Sequence, residues 1–70
     1  MIIFHLNAGR FKTYFEANEY MKKHFPSAFI FACDNEEFTI RIGTFVTKEK
    51  ADSAIDRLDK NFFWISPKTV

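Results

Sequence analysis

The chain has 70 residues, 47% of them hydrophobic, and its ten Lys and Arg against nine Asp and Glu give a formal net charge of +1. This length predicts one domain over residues 1–70, and the ten phenylalanines are expected to supply its core, because large rings bring much apolar area per residue. The near-neutral charge argues against non-specific binding to nucleic acids, which depends on many Lys and Arg contacts to phosphates, so we expect no nucleic-acid partner.

The first half of the chain predicts a strand, a turn, a helix and a second strand. Residues 3–8 alternate between apolar and more polar side chains, which is typical of a strand with one buried face. Gly9 is expected at the bend into the helix, and Thr13 is expected to cap the helix's amino terminus. The helix has an apolar stripe at three- and four-residue spacing and ends before Pro26. A short apolar run at 27–33 predicts the second strand.

The second half predicts the same elements in the same order. Residues 38–42 alternate as a strand does, and Gly43 and Thr47 are expected at the bend and at the helix cap. Asn61 is expected to end this helix in the left-handed conformation. The apolar run 62–66 predicts a last strand.

The two halves, 1–34 and 35–70, align without a gap when the sequence is slid against itself by 34 residues. The coincident identical residues are Phe4 with Phe38, Gly9 with Gly43, Phe11 with Phe45, Thr13 with Thr47, Ala17 with Ala51 and Phe29 with Phe63. These are glycine, aromatic, capping and small-residue positions, where backbone geometry and packing restrict the choice. We therefore predict two copies of one βαβ unit.

The order βαββαβ, with residues 34–37 as a hairpin turn, predicts an α+β fold. Because parallel strands around a helix connect by right-handed crossovers, the two units should form a four-stranded antiparallel sheet with both helices on one face. This is a ferredoxin-like architecture. The second face of the sheet should carry no helix.

The helix-free face is the candidate binding surface. Side chains opposite to the buried ones should project from it and be exposed to solvent: His5, Asn7, Thr39 and Arg41. Alternation does not assign the sides of the outer strands, but the repeat places Ile30 with Trp64 and Phe29 with Phe63. A polar centre flanked by aromatic residues suits a sugar, a nucleobase or a protein as ligand. Alternatively, a second copy of the chain covers this face in a homodimer.

These residues also carry a family resemblance. The Gly-x-Phe motif at Gly9 and again at Gly43, with the strand 38–45 and the helix 48–58, resembles the sporulation-related repeat (SPOR) domain of bacterial cell-division proteins. The resemblance covers nearly the whole chain. It implies binding to peptidoglycan glycan strands that have lost their stem peptides, with the ligand lying across the helix-free face.

The resemblance also implies a set of ligand-binding residues. Asn7 occupies the place of the family's glutamine two residues before the glycine, and Arg10 replaces the small polar residue after that glycine. On the third strand Thr39 takes the place of the family's first arginine, Arg41 occupies the middle position of the motif, and Thr44 replaces its proline. The residues expected to contact a glycan are His5, Asn7, Arg10, Thr39, Arg41 and Trp64, with the Trp64 ring lying against a sugar.

Catalysis, metals and cofactors are not expected. The chain has no phosphate-binding loop and no nucleophile or zinc motif, and its paired acids Glu36 and Glu37 fall in a predicted turn. Cys33 is the only cysteine, which excludes an intrachain disulfide. Its acidic neighbours should keep the thiol protonated and unreactive.

A protein-interaction module is the competing interpretation. It would be a small intracellular protein, for example a viral protein directed at a host factor, that binds through the open face or an edge strand or forms a homodimer. The amino terminus lacks a secretory signal, and no stretch approaches the roughly 20 apolar residues of a membrane span. We expect no membrane insertion. A full-length chain would be cytoplasmic, whereas one excised from a longer SPOR-type protein would lie in the cell envelope or periplasm.

Overall fold

A computed structural model describes residues 1–70 as a four-stranded antiparallel sheet with two helices. The elements are β1 (Ile2–Phe11), α1 (Tyr14–His24), β2 (Phe29–Ala32), β3 (Phe38–Phe45), α2 (Lys48–Ile55) and β4 (Phe63–Thr69). The strand order is β2-β3-β1-β4, so β1 and β3 are central and β2 and β4 form the edges. The predicted α+β class is confirmed, and the order is compatible with a ferredoxin-like fold.

Both helices begin where the sequence predicts, but one of them does not end as predicted. The hydroxyl oxygens of Thr13 and Thr47 accept hydrogen bonds from backbone N–H groups three residues on, at 3.1 and 3.2 Å. Helix α1 ends before Pro26, as expected. Helix α2 ends with Asp56 as its C-cap, and Asn61 does not have a positive φ, so the prediction of a left-handed Asn61 is wrong.

One face of the sheet packs against the helices and forms the apolar core. The buried apolar residues are Leu6, Ala8, Ile40 and the helix residues Ala17 and Ala51. Aromatic rings extend this core. The ring centroid of Tyr20 on α1 lies 5.5 Å from that of Phe11 and 5.2 Å from that of Phe62. The small alanines let the helices approach the sheet closely, while the partly buried rings close the edges of the core.

The two glycines lie inside strands and not at the bends into the helices, so that expectation is wrong. The β1–β3 pairing is irregular at two points, and the second irregularity, between Ala8 and Phe11, contains Gly9 at a φ of +72°. The strands then continue for two residues, to Phe11 and Phe45. A bulge explains the chain path, because it inserts one residue into a strand without ending the strand.

The side chains of the outer strands do not lie on the faces expected from the 34-residue alignment of the two halves. Phe29 pairs with Arg41, whereas Trp64 pairs with Asn7, and directly paired residues project to the same face of a sheet. Phe29 and Trp64 therefore share one face, and Ile30 lies on the other. The predicted pairing of Ile30 with Trp64 is wrong because β2 is displaced by one residue relative to β4.

Candidate ligand-binding face

The open face is the surface of the sheet opposite the helices. Four of the candidate residues lie on it as expected: His5, Asn7, Thr39 and Arg41. The expectation that they are exposed to solvent is wrong, because their exposed fractions are 7%, 0%, 0% and 9%. Larger side chains, chiefly those of Arg10, Phe31 and Trp64, form a second layer above them.

Asn7 and Thr39 hold the strands together beneath that layer. The Asn7 amide donates to the Ser66 hydroxyl at 3.0 Å, and its oxygen accepts from Arg41 Nε at 3.4 Å. The Thr39 hydroxyl donates to the Gly9 carbonyl oxygen at 2.7 Å. Because these polar atoms already have partners and are inaccessible, neither residue contacts a ligand in this conformation. Asn7 and Thr39 instead position other residues of the face, because Asn7 binds Arg41 and Thr39 binds the Gly9 carbonyl.

Trp64 and Arg10 form one wall of the face. The indole Nε1 donates to the Gly9 carbonyl oxygen at 3.3 Å, which fixes the ring across β1. The Arg10 guanidinium lies over this ring, 4.2 Å from its centroid, in a cation–π contact. Arg10 is exposed, so it and the partly exposed Trp64 are accessible to a ligand.

Phe31 and Arg41 form the opposite wall. The Arg41 guanidinium lies 3.9 Å from the Phe31 ring centroid. Burial lowers the pKa of Arg41, with the nearby Cys33 acting in the opposite direction, but a guanidinium stays charged in proteins. Arg41 nevertheless has no ion pair, since the single salt bridge of the structure joins Lys60 to Asp56. It is thus a buried cation without a counter-charge.

His5 lies beside Arg41 with half of its ring unsatisfied. Nδ1 shares a 2.9 Å hydrogen bond with the Thr44 hydroxyl, whereas Nε2 is buried and has no partner. Burial lowers the pKa of His5, and the positive charges of Arg41 and Lys68 lower it further. The ring is therefore neutral at pH 7.

A cleft of about 300 Å³ lies between the two walls. Its rings are Phe31 and Trp64, and its polar lining includes His5, Arg41, Ser66 and Lys68. No helix residue lines it, so it belongs to the open face alone. Two aromatic surfaces around several hydrogen-bonding groups form a site that can bind a small polar ligand with an apolar side.

Cys33 lies at the rim of the cleft and is not activated. Burial raises the pKa of its thiol, Arg10 opposes this effect, and Glu37 adds to it. The expectation of a protonated thiol is confirmed, although burial and not the neighbouring acids is the main cause. A protonated thiol is a poor nucleophile, so the cleft has no activated cysteine.

Phe31, Ser66 and Lys68 are three of the cleft residues that were not among the expected ligand-binding residues. The last strand was expected to end at 66, but it continues through Pro67 because an edge strand tolerates a residue without an N–H donor. The alternation of Trp64, Ser66 and Lys68 is the signal that could have identified two of the three.

Comparison with protein-family models, curated proteins and solved structures gives no match. Neither helix has the length and apolar character needed to cross a membrane. No three His, Cys, Asp or Glu side chains converge as a set of metal ligands.

Proposed function

We propose that this chain is a non-catalytic binding module that binds peptidoglycan glycan strands on its open face. The observation that carries the proposal is the cleft between Trp64 and Phe31, which combines two rings with a polar lining. A pyranose ring has an apolar face that packs on an aromatic ring and hydroxyl groups that need hydrogen-bonding partners around it. The cleft offers both within a single site.

The fold gives the proposal further support. The strand order and the matched helix caps at Thr13 and Thr47 suit a ferredoxin-like arrangement of two related βαβ halves. This is the arrangement implied by the resemblance to the SPOR domain, whose ligand lies across the helix-free face. The displaced register of β2 would be a departure of the first half from an ideal repeat.

The burial of Asn7 and Thr39 changes the roles of the candidate residues. Arg10, Trp64 and Arg41 would contact the glycan, joined by Lys68 at the cleft's rim. Asn7 and Thr39 would act as positioning residues, because their hydrogen bonds hold Arg41 and the Gly9 carbonyl in place.

Co-sedimentation with bacterial sacculi whose stem peptides have been removed tests the proposal. The native chain should sediment with them, and Trp64→Ala should weaken the affinity about tenfold or more, as expected for a central aromatic contact. Trp64→Phe keeps a ring and should retain most of the binding. Phe15→Ala is the matched control, because Phe15 is an aromatic residue of α1, 70% exposed and away from the cleft.

Two results would contradict glycan binding. The first is a folded native chain that stays in the supernatant at every sacculus concentration. The second is an equal loss of binding in Trp64→Ala and Phe15→Ala, because a specific site on the open face requires the two variants to differ.

A protein partner at the β2 edge is the second candidate. Phe29 and Phe31 lie on this edge strand, 58% and 38% exposed, and an uncovered apolar edge is a typical site of strand addition or self-association. If the edge mediates a homodimer, Phe29→Glu should make the chain monomeric in sedimentation velocity and leave sacculus binding unchanged. If the native chain is monomeric at high concentration, self-association through the β2 edge is excluded.

A further inference from the structure

We propose that the cleft contains a carboxylate-binding subsite formed by Arg41, Lys68 and His5 Nε2, through which the module recognises an acidic sugar of the glycan. The identity of the sugar rests on the proposed function. The preference for an anion does not, because it follows from the charged side chains that line the cleft.

The unpaired charge of Arg41 is the first observation. Only 9% of the residue is exposed, and its one hydrogen bond to the protein runs from Nε to Asn7. Arginine is seldom buried to this extent without an acidic partner, because its charge loses hydration. The terminal N–H groups form a planar fork whose geometry matches the two oxygens of a carboxylate.

The orphaned nitrogen of His5 is an independent second observation. Nε2 is buried and lacks any partner, although the residue lines the cleft and its other nitrogen is bonded to Thr44. Buried polar atoms normally have a partner, so an unpaired nitrogen in a residue that lines a cleft is a position where a bound group can supply one. When the Thr44 hydroxyl donates to Nδ1, Nε2 carries the hydrogen and can donate it to an anion.

The charged groups around the cleft come from β1, β3, β4 and the turn after β2. Arg41 on β3 and Lys68 on β4 contribute positive charge, and Arg10 adds more above Trp64. Asp34, exposed in the turn after β2, is the only acid lining the cleft. The cations outnumber this acid, so the cleft is electropositive and complementary to an anion.

A carboxylate is the anion that fits the proposed glycan. N-acetylmuramic acid carries a lactyl carboxylate, which becomes free when the stem peptide is removed. In a strand that retains its peptide this group is a neutral amide with a bulky substituent. A site for the free carboxylate would therefore favour stripped strands over intact ones, both through charge and through size.

The test is an NMR titration of the His5 ring with three sugars. N-acetylmuramic acid should shift the His5 signals and bind about tenfold more tightly than its methyl ester, which keeps the bulk and loses the charge. N-acetylglucosamine, which has no lactyl group, should bind as weakly as the ester. The pKa of His5 should rise when the acid binds, because the carboxylate stabilises the imidazolium.

Two variants separate the subsite from the rest of the face. Arg41→Gln should abolish the preference for the acid over the ester. Because Arg41 is buried, Lys68→Gln provides a second variant at an exposed position, and it should reduce that preference at least threefold without altering the fold.

Equal affinity for the acid and the ester would overturn the subsite but leave glycan binding intact if the sacculi still bind the chain. If no sugar binds, the subsite is judged with lactate alone, and the proposed function fails only if the chain also stays in the supernatant with sacculi. A saturable lactate-induced shift of His5 that Lys68→Gln weakens would support it, and no shift would overturn it. Tighter binding of inorganic phosphate than of lactate would overturn the carboxylate assignment.

Discussion

Gly9→Ala should be strongly destabilising, although Gly43, which lies 34 residues further along the sequence, should tolerate the same change. At Gly9 the added Cβ would lie 2.6 Å from the Phe11 ring, and the φ of +72° is one that L-residues rarely adopt. The left-handed backbone costs about 1–2 kcal/mol in a non-glycine residue. Forcing extra volume into a packed site costs a further 1–3 kcal/mol or so.

The combined loss of about 2–5 kcal/mol is a large part of the roughly 4–10 kcal/mol expected for a domain of this size. The Phe11 ring cannot swing aside freely, because it packs near Tyr20 at 5.5 Å and near Phe62 at 6.5 Å between centroids. Urea unfolding followed by the fluorescence of Trp64 measures the change in the free energy of unfolding.

Gly43→Ala is the matched control. Its added Cβ would lie 3.6 Å from the Phe45 ring, which is ordinary contact, and its φ is not positive. We expect little change, or a gain of up to about 1 kcal/mol from the reduced freedom of the unfolded chain. If the two variants differ by less than about 0.5 kcal/mol, which is within the scatter of surface substitutions, the bulge at Gly9 is not as described.

The buried layer of the open face should contribute measurably to the stability of the fold. Thr39→Val removes the 2.7 Å hydrogen bond to the Gly9 carbonyl and should cost about 1 kcal/mol in urea unfolding, with Ser53→Ala on α2 as a neutral control. His5 should make stability depend on pH, because its folded-state pKa lies below the ordinary value of 6.5. The unfolded chain then binds the proton more readily, so this contribution is complete above pH 6.5 and is lost as the pH falls through the folded-state pKa. His5→Gln should flatten thermal stability between pH 7 and pH 5, and an unchanged slope would contradict the assignment.

The elements could be predicted because their signals are local. The caps at Thr13 and Thr47 and the stop before Pro26 depend on a few neighbouring residues, and the structure places all three as expected. The left-handed conformation predicted for Asn61 is wrong because of local backbone contacts after α2. The chain leaves α2 early, and the backbone N–H of Phe62 turns back to the Asp59 carbonyl oxygen, so no left-handed residue is needed.

The faces of the outer strands could not be predicted because register is a property of pairs of strands. Both sides of 28–32 are apolar, so alternation gives no preference, and a displacement of one residue exchanges every side chain between the faces. The repeat could not correct this, since β2 and β4 differ by that displacement. Phe31 was therefore missed as a wall of the cleft.

The composition of the open face could be predicted, but its accessibility could not. Alternation placed Asn7, Thr39 and Arg41 on the correct side. Their burial follows from large side chains on neighbouring strands that lie against them, as the Phe31 ring lies against Arg41. Such contacts depend on the bulge at Gly9 and on strand register, and neither is encoded in the period of a single strand.

Glycan binding on the open face can be followed through the fluorescence of Trp64, the only tryptophan of the chain. We expect a saturable spectral change when fragments of stripped glycan are added at constant protein concentration, with no change on dilution of the free chain. An emission spectrum that does not change with glycan fragments but shifts on dilution would contradict glycan binding. It would indicate that a second copy of the chain covers the open face.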